Sequence, residues 1–286
     1  MKSIKNYLET CLNTCDESLL DDDDIFLDSG TEKKLVEEWI KNNCTISGEL
    51  IISDDFVVDC TGYVIVNNSS ITSLTNGIFK WGRISEYFDC ERCTKLETLK
   101  GGPEYVDGNF YCSCCEKLIS LEGAPKKVGG CFDCSWCIGL TSLKDSPEIV
   151  DGYFTCAYCD HIKSLEGVTQ VIGKHFYCTH CIKLKNLKGS PTKLGGSFNC
   201  GSCNSLISFE GIPEKINGNF HCRRCNKITS FEGGPKIVTG GLDCSGCNNL
   251  KSLKGAPEKL KGKLTCLSCK NLEITDLDRI KYKIRN

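Results

Sequence analysis

A Cys-x-x-Cys pair recurs nine times at a fixed interval of 22 residues, and this period constrains the fold more than any other feature of the chain. The pairs begin at Cys90, Cys112, Cys134, Cys156, Cys178, Cys200, Cys222, Cys244 and Cys266, each with a second cysteine three residues on. A strict period of about 20–50 residues marks a solenoid, because one unit cannot bury its own apolar face and must stack on its neighbours.

The whole unit reads F-x-C-x-x-C-x-x-L-x-S-L-x-G-x-P-x-x-V-x-G-x. A Phe two places before the first Cys, as in Phe132 and Cys134, points to the same side of a strand as that Cys. Large Phe beside small Cys lets successive rungs interlock in a narrow core. Leucines such as Leu140 and Leu143 anchor the chain as it turns away. All seven prolines occupy one repeat position, with Thr169 as the only substitute. Pro fixes φ and lacks an N–H, and Gly supplies unusual backbone angles, so the G-x-P-x-x-V-x-G stretch predicts an extended or turn-like return. Nine rungs at about 4.8 Å give a stack roughly 40 Å long.

The pattern resembles the leucine-rich repeat, whose signature is L-x-x-L-x-L-x-x-N/C-x-L. Val128, Phe132 and Cys134 can be laid on the strand leucines and Cys137 on the Asn-or-Cys position, followed by Leu140 and Leu143. The resemblance spans roughly residues 50 to 272 and is most similar to short bacterial and phage repeats with extended convex sides. It implies a β-rich solenoid with a parallel β-sheet on the concave side, an extended or turn-like convex side and a small N-terminal α-helical cap. Cys in place of Leu at the second inward strand position is a departure that narrows the core.

Four segments follow: a helical N-terminal segment or cap (1–45), capping strands with a degenerate first repeat (46–87), the nine repeats (88–272) and a C-terminal cap (273–286). In the first segment Lys2–Leu12 and Thr31–Asn43 predict helices, the second with Leu35, Trp39 and Ile40 on one face. Between them runs Asp21, Asp22, Asp23 and Asp24, whose ordinary reading is a solvated loop and whose sharper one is a metal or basic-partner site. In the degenerate repeat Tyr63 and Ile65 fall at the Phe and first-Cys positions, Asn68 at the second Cys, and Ile71 and Leu74 at the leucines. Terminal rungs need caps over their exposed apolar ends; Ile274, Leu277 and Ile280 are expected to supply one. Glu17–Asp24 and Ile71–Gly82 are similar to segments of repeat proteins from large tailed bacteriophages of gut bacteria, a resemblance that implies a viral origin and no chemistry.

Net charge is −2, too small for a strong field toward nucleic acid or anionic lipid. No apolar run approaches the ~18 residues of a membrane span, and Met1–Leu12 is too polar for a secretory signal, so the expectation is a cytoplasmic protein of a bacterium or phage-infected host, or a virion component. Thiols there are normally reduced. Zinc remains an alternative: Cys90, Cys93, Cys112, Cys115, Cys134, Cys137, Cys156 and Cys159 have metal-ligand spacing. A four-thiolate site would, however, pair rungs two by two, and nine identical units show no alternation. Disulfides between rungs are within reach geometrically. The reading preferred is a structural ladder of buried thiols, the second Cys donating to turn carbonyls, with no cofactor.

Residues between Phe and Cys face outward and build the surface that solenoids use for binding. The middle rungs gather Tyr111, Trp136, Tyr153, Tyr158, His175, Tyr177 and His180 there, followed by His221, Arg223 and Arg224. Exposed aromatics and Arg on a rigid surface are the stuff of binding hot spots, although strand surfaces favour aromatics in any case. The expected function is a non-enzymatic scaffold for a protein partner, with Trp136, Tyr158 and Tyr177 as anchors and Arg223 and Arg224 recognising an acidic group. Alternatives are a virion-associated structural protein, a zinc-stabilised repeat, a Cys–His enzyme using Cys114 or Cys131 with His175 or His180, and a nucleic-acid binder. Asp89, Glu91, Asp133 and Asp243 on the same surface argue against the last.

Overall fold

The computed structural model describes residues 29–282. The expected helix Lys2–Leu12 and the acidic run Asp21–Asp24 lie outside the described residues. The chain begins with α1 (Ser29–Asn43), followed by β1 (Cys44–Ile46), β2 (Leu50–Ile52), β3 (Val57–Cys60), β4 (Val64–Val66) and β5 (Lys80–Ile84). Each of the first eight repeats then contributes two strands of two residues, and the ninth contributes one. The even-numbered ones run from β6 (Phe88–Asp89) to β22 (Leu264–Thr265) and the odd-numbered ones from β7 (Tyr105–Val106) to β21 (Lys259–Leu260). A short α2 (Asp276–Tyr282) closes the described chain.

The result is the expected parallel β-solenoid. One sheet of eleven strands contains β4, all the even strands after it and, antiparallel at its edge, β1. Its register sets Phe132 beside Phe110 and Phe154, so equivalent positions stack. Main-chain amides run up the stack at alternate residues: Phe88 N donates to Asn109 O (2.9 Å), Cys90 N to Tyr111 O (2.8 Å) and Arg92 N to Ser113 O (2.9 Å).

The return side differs from the expectation in one respect. It is not merely extended, because Lys127–Val128 and its equivalents pair in parallel within sheets of eight and three strands, the former ending on β2, antiparallel to β3. Val128 therefore lies in a different sheet from Phe132, and the leucine-rich-repeat alignment that put both on one strand does not hold. The chain turns between them at Gly129, where a Cβ would come within 2.2 Å of Asp107 O of the preceding rung. The return side splits between Lys193–Leu194 and Lys215–Ile216. There the Asn217 side-chain amide donates to Leu194 O (2.9 Å), the carbonyl whose counterpart Val106 O takes the Gly129 main-chain N–H (2.9 Å).

The core is one continuous column. Phe88, Phe110 and Phe132 stack face to face at 5.6 and 5.3 Å with interplanar angles of 6°. The rings rotate along the stack until Phe198 meets Phe220 edge-on at 76°. The rotation already reaches 54° between Phe176 and Phe198, and at its end Phe209, a ring in the leucine position, packs edge-on to Phe220 at 5.3 Å.

At the N-terminal end Trp39 of α1 packs on Phe79 (5.3 Å), Phe79 on Trp81 (5.5 Å) and Trp81 on Phe88 (5.8 Å), joining cap to column through aromatic edges. Val36, not the expected Leu35, is the fully buried residue beside Trp39 and Ile40. The degenerate repeat is also shifted by one. Val64 pairs with Phe88, and Val64 and Val66 point inward, whereas Tyr63 faces out and stacks on Tyr87 at 4.7 Å. A one-residue slip exchanges the two faces of a strand, and the buried valines decide it. At the other end Leu277 is 77% exposed and caps nothing; Tyr282 is buried and donates to Pro257 O (3.2 Å).

Candidate functional site

Each cysteine pair closes a tight turn whose third residue has positive φ: Arg92, Cys114, Trp136, Tyr158, His180, Ser202, Arg224 and Ser268 all lie between 56° and 61°, with Gly246 at 75°. Left-handed backbone costs an L-residue roughly 1–2 kcal/mol, so eight side chains held there need compensation. Part of it comes from the turn amides, which continue the ladder: Trp136 N donates to Ala157 O (2.8 Å) and His180 N to Gly201 O (2.9 Å). The rest comes from the thiols. Cys115, Cys137, Cys159, Cys181, Cys203, Cys225, Cys247 and Cys269 each donate to the carbonyl of the first Cys one rung earlier, at 3.0–3.2 Å. First cysteines such as Cys90 and Cys134 donate the other way, to Tyr111 O and Thr155 O (3.3 Å each).

The described cysteines are free thiols. Burial, first, and the neighbouring thiol 25 residues on push Cys112, Cys134, Cys178, Cys200 and Cys222 well above their ordinary value. A metal ligand must be a thiolate, and among the described residues no three Cys, His, Asp or Glu side chains converge as a metal site requires. The last rung behaves differently. Cys269, half-buried, is lowered to about 7, first by its side-chain hydrogen bonding with Cys244, against its own burial and with help from the Cys247 and Gly246 amides.

The outward aromatics do not form one strand surface. Trp136, Tyr158 and His180 belong to the left-handed turn position, where their rings stack: Trp136 on Tyr158 at 3.9 Å and 7°, Tyr158 on His180 at 4.2 Å and 9°. Tyr111 and Tyr177 are strand residues, and Tyr153 meets Tyr177 edge-on at 6.0 Å. Burial and then the Cys131 thiol raise Tyr153 to about 12 and push Tyr111 and Tyr177 upward, so these remain neutral phenols.

His175 has a different task. It belongs to a column whose side chains accept amides from the next rung: Asn109 from Cys131 N (2.8 Å), His175 from Ser197 N (2.9 Å) and Asn219 from Gly241 N (2.7 Å). This occupies His175 Nδ1. Around Cys114 the interacting groups are Ser113, Glu91, Cys137 and Arg92.

Beyond His180 the aromatic column stops. Asn199, Gly201 and Ser202 present little bulk on the next rung, and the space above them is a notch of about 530 Å³. Its walls are Thr179 and His180 on one side and His221, Arg223 and Arg224 on the other. Arg223 lies 3.6 Å from Asp243, while Arg224 forms no ion pair among the described residues. His180 Nδ1 is shielded from solvent and has no hydrogen-bond partner. The sequence reading gathered the bulky residues around this place and missed the notch, because a run of small residues looks unremarkable until the neighbours are stacked on either side.

No helix of the described residues is long and apolar enough to cross a membrane. In comparisons with known proteins, no family model, curated protein or solved structure matches the chain.

Proposed function

We propose that the chain is a non-enzymatic β-solenoid scaffold that binds a protein partner, in the cytoplasm of a bacterium or a phage-infected host cell, through the turn and strand surface of its eleven-stranded sheet. The observation that supports it most is the stacked column Trp136–Tyr158–His180, three rings held in register on a backbone that gives them almost no freedom. Pre-ordered rings lose little entropy when a partner covers them, which is how rigid paratopes gain affinity. Trp136 is half exposed at 49%, so a partner can cover the open face of the stack. Arg223 and Arg224 beyond the column add recognition of an acidic group.

The test is affinity capture from cells in which the chain is expressed, comparing the natural protein with the Trp136→Ala/Tyr158→Ala double variant. Loss of a specific partner by at least tenfold, with the fold unchanged by circular dichroism, is expected. Equal recovery refutes this surface as the binding site.

A further inference from the structure

We infer that the notch over Ser202 receives one aromatic side chain of a protein partner, next to a carboxylate of the same segment; this rests on the binding function proposed above and names the chemistry it recognises. The column supplies the first reason. Rings at the turn position succeed one another by one rung, and after His180 the sequence places Ser202, so the fourth ring of the stack is missing while its neighbours remain. Rungs rise by about 4.8 Å, and stacked carbon atoms touch at about 3.5–4.0 Å. The interval from His180 to the Arg224 rung, about 10 Å, therefore admits one planar ring and is too short for two.

The floor agrees with this. Asn199, Gly201 and Ser202 leave the notch open toward solvent, suited to a side chain arriving from outside. His180, one wall of the notch, has an Nδ1 that the free protein leaves without a hydrogen-bond partner.

Charge selects the rest of the ligand. Arg223 and Arg224 border the notch, and Arg224 leans away over Gly246, where a Cβ would meet its Cγ at 3.1 Å. Arg224 forms no ion pair among the described residues, so its charge is available to a carboxylate flanking the inserted ring. A nucleic-acid strand would also offer a ring and an anion. Its further phosphates would run along a surface that carries Asp89, Glu91 and Asp133 on other rungs, which repel a polyanion, whereas a single carboxylate at the notch meets only Asp243, whose charge is offset by Arg223 at 3.6 Å.

The experiment titrates the full chain with the peptide N-acetyl-Gly-Trp-Asp-Gly-amide, following the Gly201 and Ser202 amides by NMR, with the Trp→Ala peptide and adenosine monophosphate in parallel. Saturable shifts at both amides with the first peptide, and at least tenfold weaker binding of the Ala peptide, are expected. The deciding variant is Ser202→Trp. Trp136 already occupies the same backbone conformation (φ 60°, against 61° at Ser202), so the new ring should complete the column, leave the fold intact and abolish peptide binding. Arg224→Ala should weaken the Asp-bearing peptide about fivefold. Undiminished binding by Ser202→Trp, or saturation by the nucleotide and not the peptide, overturns the inference. If Ser202→Trp retains a captured partner that Trp136→Ala/Tyr158→Ala loses, the notch assignment fails while the broader binding surface stands; if the double variant retains it as well, both fail.

Discussion

Cys159 offers a direct measure of what the second thiol of each pair contributes. Its Sγ is fully buried and donates to Cys134 O at 3.2 Å, the one hydrogen bond that carbonyl receives among the described residues. Cys159→Ala removes a sulfur worth about 1 kcal/mol of apolar burial and leaves the carbonyl without a donor in a dry core, about 1–3 kcal/mol more. The expected loss is about 2–4 kcal/mol. Cys159→Ser retains a donor at the cost of sulfur's bulk and of burying a more polar group, an expected loss of about 1 kcal/mol. Serine should therefore be the better replacement by about 1–3 kcal/mol. Equilibrium unfolding in urea, under reductant and followed by far-UV circular dichroism, gives the order. A cysteine acting only as a small hydrophobe reverses it, because alanine then loses bulk alone while serine also buries a hydroxyl. An alanine variant as stable as the serine variant, or more so, refutes the hydrogen-bonding role.

Two further expectations concern single residues. Asp145 stands at φ 65° where other repeats have Gly, such as Gly123 at 91° and Gly167 at 87°. Asp145→Gly relieves about 1 kcal/mol of left-handed strain and gives back roughly half of it as chain entropy in the unfolded state, so the melting temperature should rise by about 1–2 °C; a fall shows that the Asp side chain is needed there. Cys269, held at about 7 against an ordinary value near 9, should react with iodoacetamide at pH 7.5 well before the buried Cys178 and Cys200, and its rate should fall steeply below pH 7. Because its folded value is the lower one, its contribution to stability is complete above about pH 9 and disappears as the pH drops through 7. Peptide mapping by mass spectrometry reads both effects, and modification of Cys178 first contradicts them.

The architecture was legible because periodicity is a property of sequence. Phe at one place and Cys two places on, repeated without slippage, leave no register other than the one in which Phe132 lies beside Phe110 and Phe154. The second sheet was less legible. Val128 and Phe132 are close enough in sequence to suggest one strand, and only the nearness of the preceding rung at Gly129 makes the chain turn between them. The slip in the first repeat has a similar origin, since Tyr63 and Val64 are both plausible strand residues and burial against the Trp81 end of the column chose the valine. Of the outward residues, the sequence identified the aromatic set but not its division. Trp136, Tyr158 and His180 form a stack, whereas His175 spends its ring nitrogen on a main-chain amide. Their roles separate only when the positive φ of the turn and the side-chain ladder beside it are known.

The uniform offset of the hydrogen bonds, from each turn to the one after it, has a bearing on how such a chain can change. A coil ends in the same pattern of donors and acceptors with which it begins, so coils are interchangeable parts. Gaining or losing one in mid-chain would leave both cut surfaces matched and the terminal covers in place. Length could thus drift over generations without any refolding of the whole, and the spacing between recognition features on the exterior would be set by how many copies lie between them.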